Sequence, residues 1–151
     1  MYRHHIDSIE KLKEYFMPME GMIAIVLDGS IVKGNERPDS DIDALIVVTE
    51  EKYKELAAQN RLAEVIAGRC TYEGGYFDVK YKTKAILQAS ALHASEPTRN
   101  AYVKARVLYS SDEEIAPLVE KIAAYPKHER EAKLKCFNAN LQLNRGYFLH
   151  C

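Results

Sequence analysis

A chain of 151 residues with 21 basic and 22 acidic side chains has a formal net charge of −1, which excludes a bulk attraction to nucleic acid or to anionic membranes. Its length suffices for one domain that buries about 68–70% of the surface of the unfolded chain. Cys70, Cys136 and Cys151 are odd in number and form no CxxC, which argues against a disulfide framework and a structural zinc site and makes a cytoplasmic location the expectation.

The first twenty residues are charged throughout and hold no apolar core of a signal peptide. No uncharged apolar run reaches the ~20 residues of a membrane span. Asp7 or Ser8 is expected to cap a helix running to about Phe16, with Ile9, Leu12, Tyr15 and Phe16 on one stripe. Met22 to Leu27 is a short apolar run that stops at Asp28-Gly29-Ser30, and Ile42 to Val48 is a second. Both read as buried strands, with a helical turn after Gly29 and a polar loop over Asn35 to Ser40. Thr49 is expected to cap a helix to about Gly68. Its two apolar stripes, Tyr53-Leu56-Ala57 and Leu62-Val65-Ile66, do not line up at helical period, which implies a break near Asn60. Arg69 to Glu73, Gly74-Gly75 and Tyr76 to Lys82 read as a hairpin around a two-glycine turn. Further helices are expected over Lys84 to Ala94 (cap Thr83), from Ser95 to Lys104, and after Ser111 or Asp112 to Tyr125. A short strand lies at Ala105 to Tyr109, and Pro126 separates residues 1–125 from a long helix, Lys127 to Phe148, within a final segment 126–151. The whole is an α+β chain with a mixed sheet flanked by helices.

The polar residues between the first two strands carry the chemistry. Side chains alternate across a strand, so Asp41 and Asp43 share one face while Ile42 takes the other, with Cα atoms roughly 7 Å apart. Two carboxylates about 5 Å apart repel by about 3 kcal/mol at an effective dielectric of 20. A hard divalent cation, Mg²⁺ above all, offsets that repulsion; the plainer alternative is a pair of solvated aspartates at a strand edge. Gly29 lets an anion approach the backbone, and the Ser30 hydroxyl adds a donor beside it. In the third strand Tyr76, Asp78 and Lys80 share a face. If that strand lies beside Asp41 and Asp43, Asp78 completes an acidic triad and Lys80 can either reach a phosphate or pair with Asp78.

Gly29, Ser30 and Gly34 in GSIVKG, then Ser40-Asp41-Ile42-Asp43, then the apolar run Ala44 to Val48, resemble the nucleotidyltransferase superfamily. This is the group with the DNA polymerase β fold, and the pattern is nearest to its aminoglycoside-type and minimal members. The resemblance covers roughly Ile6 to Leu118, and Asp78 in YFDVKY stands where the family carries a third carboxylate. Lys33 stands where small antitoxin-type members often have Arg, and Asp28 where an apolar or small residue is usual. Neither departure removes a metal ligand.

The resemblance implies transfer of a nucleoside monophosphate from a nucleoside triphosphate, ATP first among them, to a hydroxyl acceptor, with release of pyrophosphate. It implies Mg²⁺ or Mn²⁺ on Asp41 and Asp43, a second ion shared with Asp78, and phosphate contacts from Gly29 and Ser30, with Lys80 beside them either on a phosphate or paired with Asp78. Asp78 can also serve as general base. The acceptor is a small molecule, a protein hydroxyl or a nucleic-acid end, the last disfavoured because no basic, aromatic-interleaved patch is present. A non-catalytic nucleotide-binding or antitoxin-type partner of the same fold is the alternative. The apolar residues Leu134, Phe137, Leu141, Leu143, Tyr147 and Phe148 of the last helix imply a homodimer contact or a further helical domain; otherwise the helix packs back on the sheet.

Overall fold

The computed structural model describes residues 1–150, together with the side chains of all of these except 128 and 147–150. Among the described residues, seven α-helices and five strands follow the chain as α1 (Arg3–Phe16), β1 (Met22–Leu27), α2 (Gly29–Lys33), β2 (Ile42–Val48), α3 (Glu50–Ala58), β3 (Ala63–Ala67), β4 (Tyr76–Thr83), α4 (Lys84–His93), α5 (Glu96–Tyr102), β5 (Arg106–Ser110), α6 (Ile115–Ala123) and α7 (Arg130–His150), with a 3-10 turn over Lys127–Glu129 leading into α7. The strands form one sheet in the order β3-β4-β2-β1-β5. Only β2 and β4 run parallel; the other neighbours are antiparallel. This is a mixed α+β architecture with a C-terminal helix, as expected.

Alternation along the central strands feeds two cores. Ile25, Leu27, Ile42, Ala44, Ile46, Phe77 and Val79 pack with Ile9, Leu12 and Phe16 of α1 and Leu56 of α3. On the other side Ala24, Val26, Leu45 and Val47 pack with Leu87 and Ala91 of α4, Tyr102 of α5, and Ile115, Val119 and Ile122 of α6. Burying each such aliphatic side chain contributes roughly 1.5–3 kcal/mol. Asp43 has the parity of Leu45 and Val47, so it opens onto the second side, beyond the reach of the covering helices. No helix among the described residues is long and apolar enough to cross a membrane.

Several elements depart from expectation. The first helix begins at Arg3, not after Asp7 or Ser8, because the Ser8 side chain is buried and engaged with Thr71. The helix capped by Thr49 ends at Ala58. Asn60 then takes a left-handed conformation, φ 56°, and the remainder is strand β3, with Glu64 and Ile66 turned inward and Val65 outward. The expected break near Asn60 is therefore where helix gives way to strand. The hairpin is real, but its first arm is β3, which pairs Ala63 with Lys80 and Ala67 with Tyr76. Arg69 to Glu73 belong to its connecting loop. Caps at Thr49, Thr83 and Ser95 accept the backbone N–H groups of Lys52, Ile86 and Thr98, each contact worth ~1 kcal/mol. The fifth helix stops at Tyr102, two residues short of Lys104, whose φ is 62°. Arg99, nearly buried, donates to the carbonyls of Ile122 and Ala124 and so closes the C-terminus of α6. In α7, Leu134, Phe137, Leu141 and Leu143 are exposed and join neither core. The side chains of Tyr147 and Phe148, and Cys151, lie outside the described residues.

Candidate active site

The site forms at one end of the sheet, where β1 ends and the neighbouring strands β2 and β4 begin. After Leu27 the chain leaves β1 through Asp28, whose N–H donates to the Asp43 carbonyl at 3.1 Å. Gly29 follows with φ +75°, a conformation that L side chains rarely adopt. A Cβ added there would lie 2.7 Å from the Asp43 Cβ and well inside the space of its carboxyl group. Gly29 is therefore the seat over which Asp43 lies. Next to it the Ser30 hydroxyl is buried and has no hydrogen-bond partner among the described residues. A buried hydroxyl without a partner costs about 1–3 kcal/mol, a cost that a ligand oxygen would remove.

The acidic residues expected from sequence do meet. The parallel pairing of β2 with β4 places Asp43 opposite Asp78 on one face. Asp41, just ahead of β2, completes the group, and one carboxylate oxygen from each of Asp41, Asp43 and Asp78 lies within 4.8 Å of the others. All three are half-buried. Burial first, then the charges of Asp41 and Asp28, push the Asp43 carboxyl up to about 6, against a smaller pull from Lys80. Three hard oxygen donors at this span suit a small divalent cation, which takes oxygen ligands at about 2.0–2.1 Å.

Lys80, placed beside this group, donates to Asp78 Oδ2 at 3.1 Å. The pairing with Asp78 is thus what the structure contains. Burial works against its charge, but the hydrogen bond and charge of Asp78, with Asp28 and Asp43, hold its ammonium above the ordinary lysine range.

Other residues join the site without having been singled out for it. Asp28, marked only as a departure from the family pattern, is raised by burial, partly countered by Lys80, Lys33 and Lys82. Lys82 continues the Tyr76-Asp78-Lys80 face of β4; it donates to the Tyr102 hydroxyl at 3.3 Å and its ammonium lies 5.3 Å from that ring. Burial lowers its pKa. Period-two alternation alone would have included Lys82, whereas nothing local in the sequence marks Tyr102. The Tyr76 phenol is raised by the charge of Asp41 and a hydrogen bond to it. The cleft lined by Glu20, Gly21, Thr49 and Lys52 lies at the opposite end of β1 and β2 and contains none of these groups.

Residues 10–114 match the family described as Polymerase beta, Nucleotidyltransferase, and the chain belongs to that family. No curated protein matches the sequence. Among solved structures, a toxin-antitoxin with AMP-PNP is similar over 91% of this chain and 98% of its own, at 16% identity and a TM-score of 0.42. A nucleotidyltransferase-like protein from Exiguobacterium sibiricum is similar at 8% identity and a TM-score of 0.49, covering 82% of this chain and 40% of that one. The spectinomycin adenyltransferase from Enterococcus faecialis, solved with ATP and spectinomycin, is similar at 19% identity and a TM-score of 0.48, with 82% of this chain and 62% of that chain covered. The chain thus spans less than two thirds of the length of the last two.

Proposed function

We propose that the protein transfers a nucleoside monophosphate from a nucleoside triphosphate, ATP first among them, to a hydroxyl of a small molecule or protein. The convergence of Asp41, Asp43 and Asp78 beside the Gly29 seat carries this reading. Mg²⁺ or Mn²⁺ held by Asp41 and Asp43, with a second ion shared with Asp78, would supply charge neutralisation and acidify the acceptor hydroxyl. The chain's own groups do the rest. The Gly29 backbone and the Ser30 hydroxyl bind the β- and γ-phosphates and hold the pyrophosphate as it leaves. The acceptor oxygen bonds to the α-phosphorus while the α–β bridging bond breaks. Asp78 takes the acceptor proton. Lys80, already charged and beside Asp78, turns from that partner toward phosphate oxygen once nucleotide is present.

Calorimetry of ATP with and without Mg²⁺, followed by detection of pyrophosphate with aminoglycoside-type and protein acceptors, tests this reading. Mg²⁺-dependent binding that Asp41→Asn weakens, together with pyrophosphate release, is the expected result. Binding that ignores Mg²⁺ removes the metal role. Tight binding with no release for any acceptor favours a non-catalytic nucleotide-binding partner of the same fold.

A further inference from the structure

The three carboxylates are not held alike. Asp43 and Asp78 sit in the sheet, opposite one another in the β2–β4 register. Asp41 precedes β2, so no strand ladder fixes it. The loop before it has a turn of its own, in which the Arg37 N–H donates to Ser40 Oγ at 2.9 Å and the Ser40 N–H to the Arg37 carbonyl at 3.1 Å. That turn shapes the loop but does not anchor it to the rest of the molecule.

The anchors come from elsewhere in the chain. The N-terminal ammonium pairs with Glu36 at 2.9 Å, and His4 Nε2 lies 2.9 Å from the Pro38 carbonyl. Tyr76 of β4 hydrogen-bonds the Asp41 carboxylate itself, and on the backbone the Tyr72 hydroxyl donates to the carbonyl of Ser40, the residue directly before it. Tyr72 is in turn set rigidly. Its ring centroid lies 4.6 Å from that of His4 and 5.2 Å from that of His5. A Cβ on Gly75 would come 2.6 Å from the ring atoms Cε2 and Cζ, so only glycine at 75 admits the ring. The preceding residue is pinned to α1: the Thr71 N–H donates to Ser8 Oγ at 2.9 Å and Thr71 Oγ1 to the His4 carbonyl at 3.0 Å. A chain of contacts therefore runs from α1 through Thr71 and Tyr72 to the backbone of the loop that ends at Asp41.

We propose that Tyr72 is a positioning residue, whose hydroxyl fixes the Ser40 carbonyl and so delivers the Asp41 carboxylate to the acidic group. Its importance for metal binding rests on the function proposed above; its hold on the loop does not. Displacing a group at a reactive centre by about 1 Å can cost about 10²-fold, so an anchor one residue away has leverage.

Tyr72→Phe keeps the ring, its Gly75 seat and its contacts with His4 and His5, and removes only the hydroxyl. Two measurements on the full chain follow. Amide hydrogen exchange of the metal-free protein should show the Ser40 amide and its loop exchanging roughly 2- to 13-fold faster, the range for one lost hydrogen bond, with the sheet unchanged. Calorimetric Mn²⁺ affinity should fall several-fold at an unchanged melting temperature. Unchanged loop exchange overturns the proposal. So does faster exchange across the whole sheet, which makes the hydroxyl a general structural contact, and so does unaltered Mn²⁺ affinity in a protein whose wild type binds the ion. A wild type that binds no Mn²⁺ while the variant loosens only the loop sinks the metal reading and leaves the hold of Tyr72 on Asp41 standing.

Discussion

Asp43 and Asp78 on one side, and Asp41 on the other, show two ways of placing a carboxylate. The first pair is placed by hydrogen-bonded register between parallel strands, and Asp43 is further wedged over Gly29. The third stands on a loop tied down by side chains from α1 and from the β3–β4 connection, with Tyr76 of β4 on its carboxylate. A sheet gives precision and little freedom; a loop with a few anchors gives freedom that the anchors limit. In this site the loop-borne acid and the strand-borne acids are held by different kinds of contact.

The largest test of this contrast is Asp78→Ala. Turnover is expected to fall by roughly 10²–10⁴, the range for losing a positioned proton acceptor, while ATP affinity stays within a few fold. Pyrophosphate release set against calorimetric binding separates the two quantities. A parallel collapse of binding would make Asp78 a nucleotide-binding ligand in the first place.

Next come the other two acids. Asp41→Asn should cost more metal-dependent triphosphate affinity than the roughly 10–100-fold typical of an outer-shell partner, without unfolding the protein. Lengthening by one methylene then discriminates the two placements. Asp41→Glu should retain more Mn²⁺ affinity than Asp43→Glu, because the loop can yield and the side chain above Gly29 cannot. Equal losses would show that both positions are equally rigid.

A smaller effect is expected at the seat. Gly29→Ala puts a Cβ at φ +75°, a strain of roughly 1–2 kcal/mol, and also displaces Asp43. A melting temperature lower by roughly 2–8 °C together with weakened Mn²⁺ binding is the expected pair of results. Lower stability with unchanged metal affinity would leave Gly29 a backbone requirement only.

The smallest is electrostatic. With its folded-state pKa up to about 6, Asp43 favours the protonated form in the native protein relative to the unfolded chain. Native stability therefore falls as pH rises through the window from about 4 to about 6, and the deficit is complete above it. In EDTA, Asp43→Asn should raise the melting temperature modestly at pH 8, by less than the full shift implies because the group is half exposed. The gain should fade as pH falls through 6 toward 4. A gain independent of pH would point to packing rather than charge.

Much of the candidate site was legible in the sequence because its signals are local. The apolar runs at Met22 to Leu27 and Ile42 to Val48 end abruptly in polar residues, and strict alternation over Tyr76 to Lys82 put Asp78 on the open face. What escaped was set by distant partners. Strand β3 has an alternating but weak pattern, with Val65 69% exposed at the sheet edge, and its conformation follows from pairing with β4. The start of α1 carries no capping side chain, so Ser8 looked like a cap when it is a buried tie to Thr71. Gly74-Gly75 read as a turn, although Gly75 serves the Tyr72 ring. Lys82 and Tyr102 meet only through the packing of α5 on the sheet.

The parallel pairing of β2 with β4 has a consequence for the order in which the molecule assembles. Asp43 and Asp78 face each other across a separation of 35 positions, with α3 and β3 between them. The β3–β4 hairpin closes a loop of eight residues, 68–75, and so forms at a smaller entropic cost than the β2–β4 pairing. Non-local parallel pairings are slow to form. During refolding, most helix and hairpin signal should therefore return before a metal-binding site exists, and recovery of Mn²⁺ affinity reports the arrival of the native topology rather than of secondary structure.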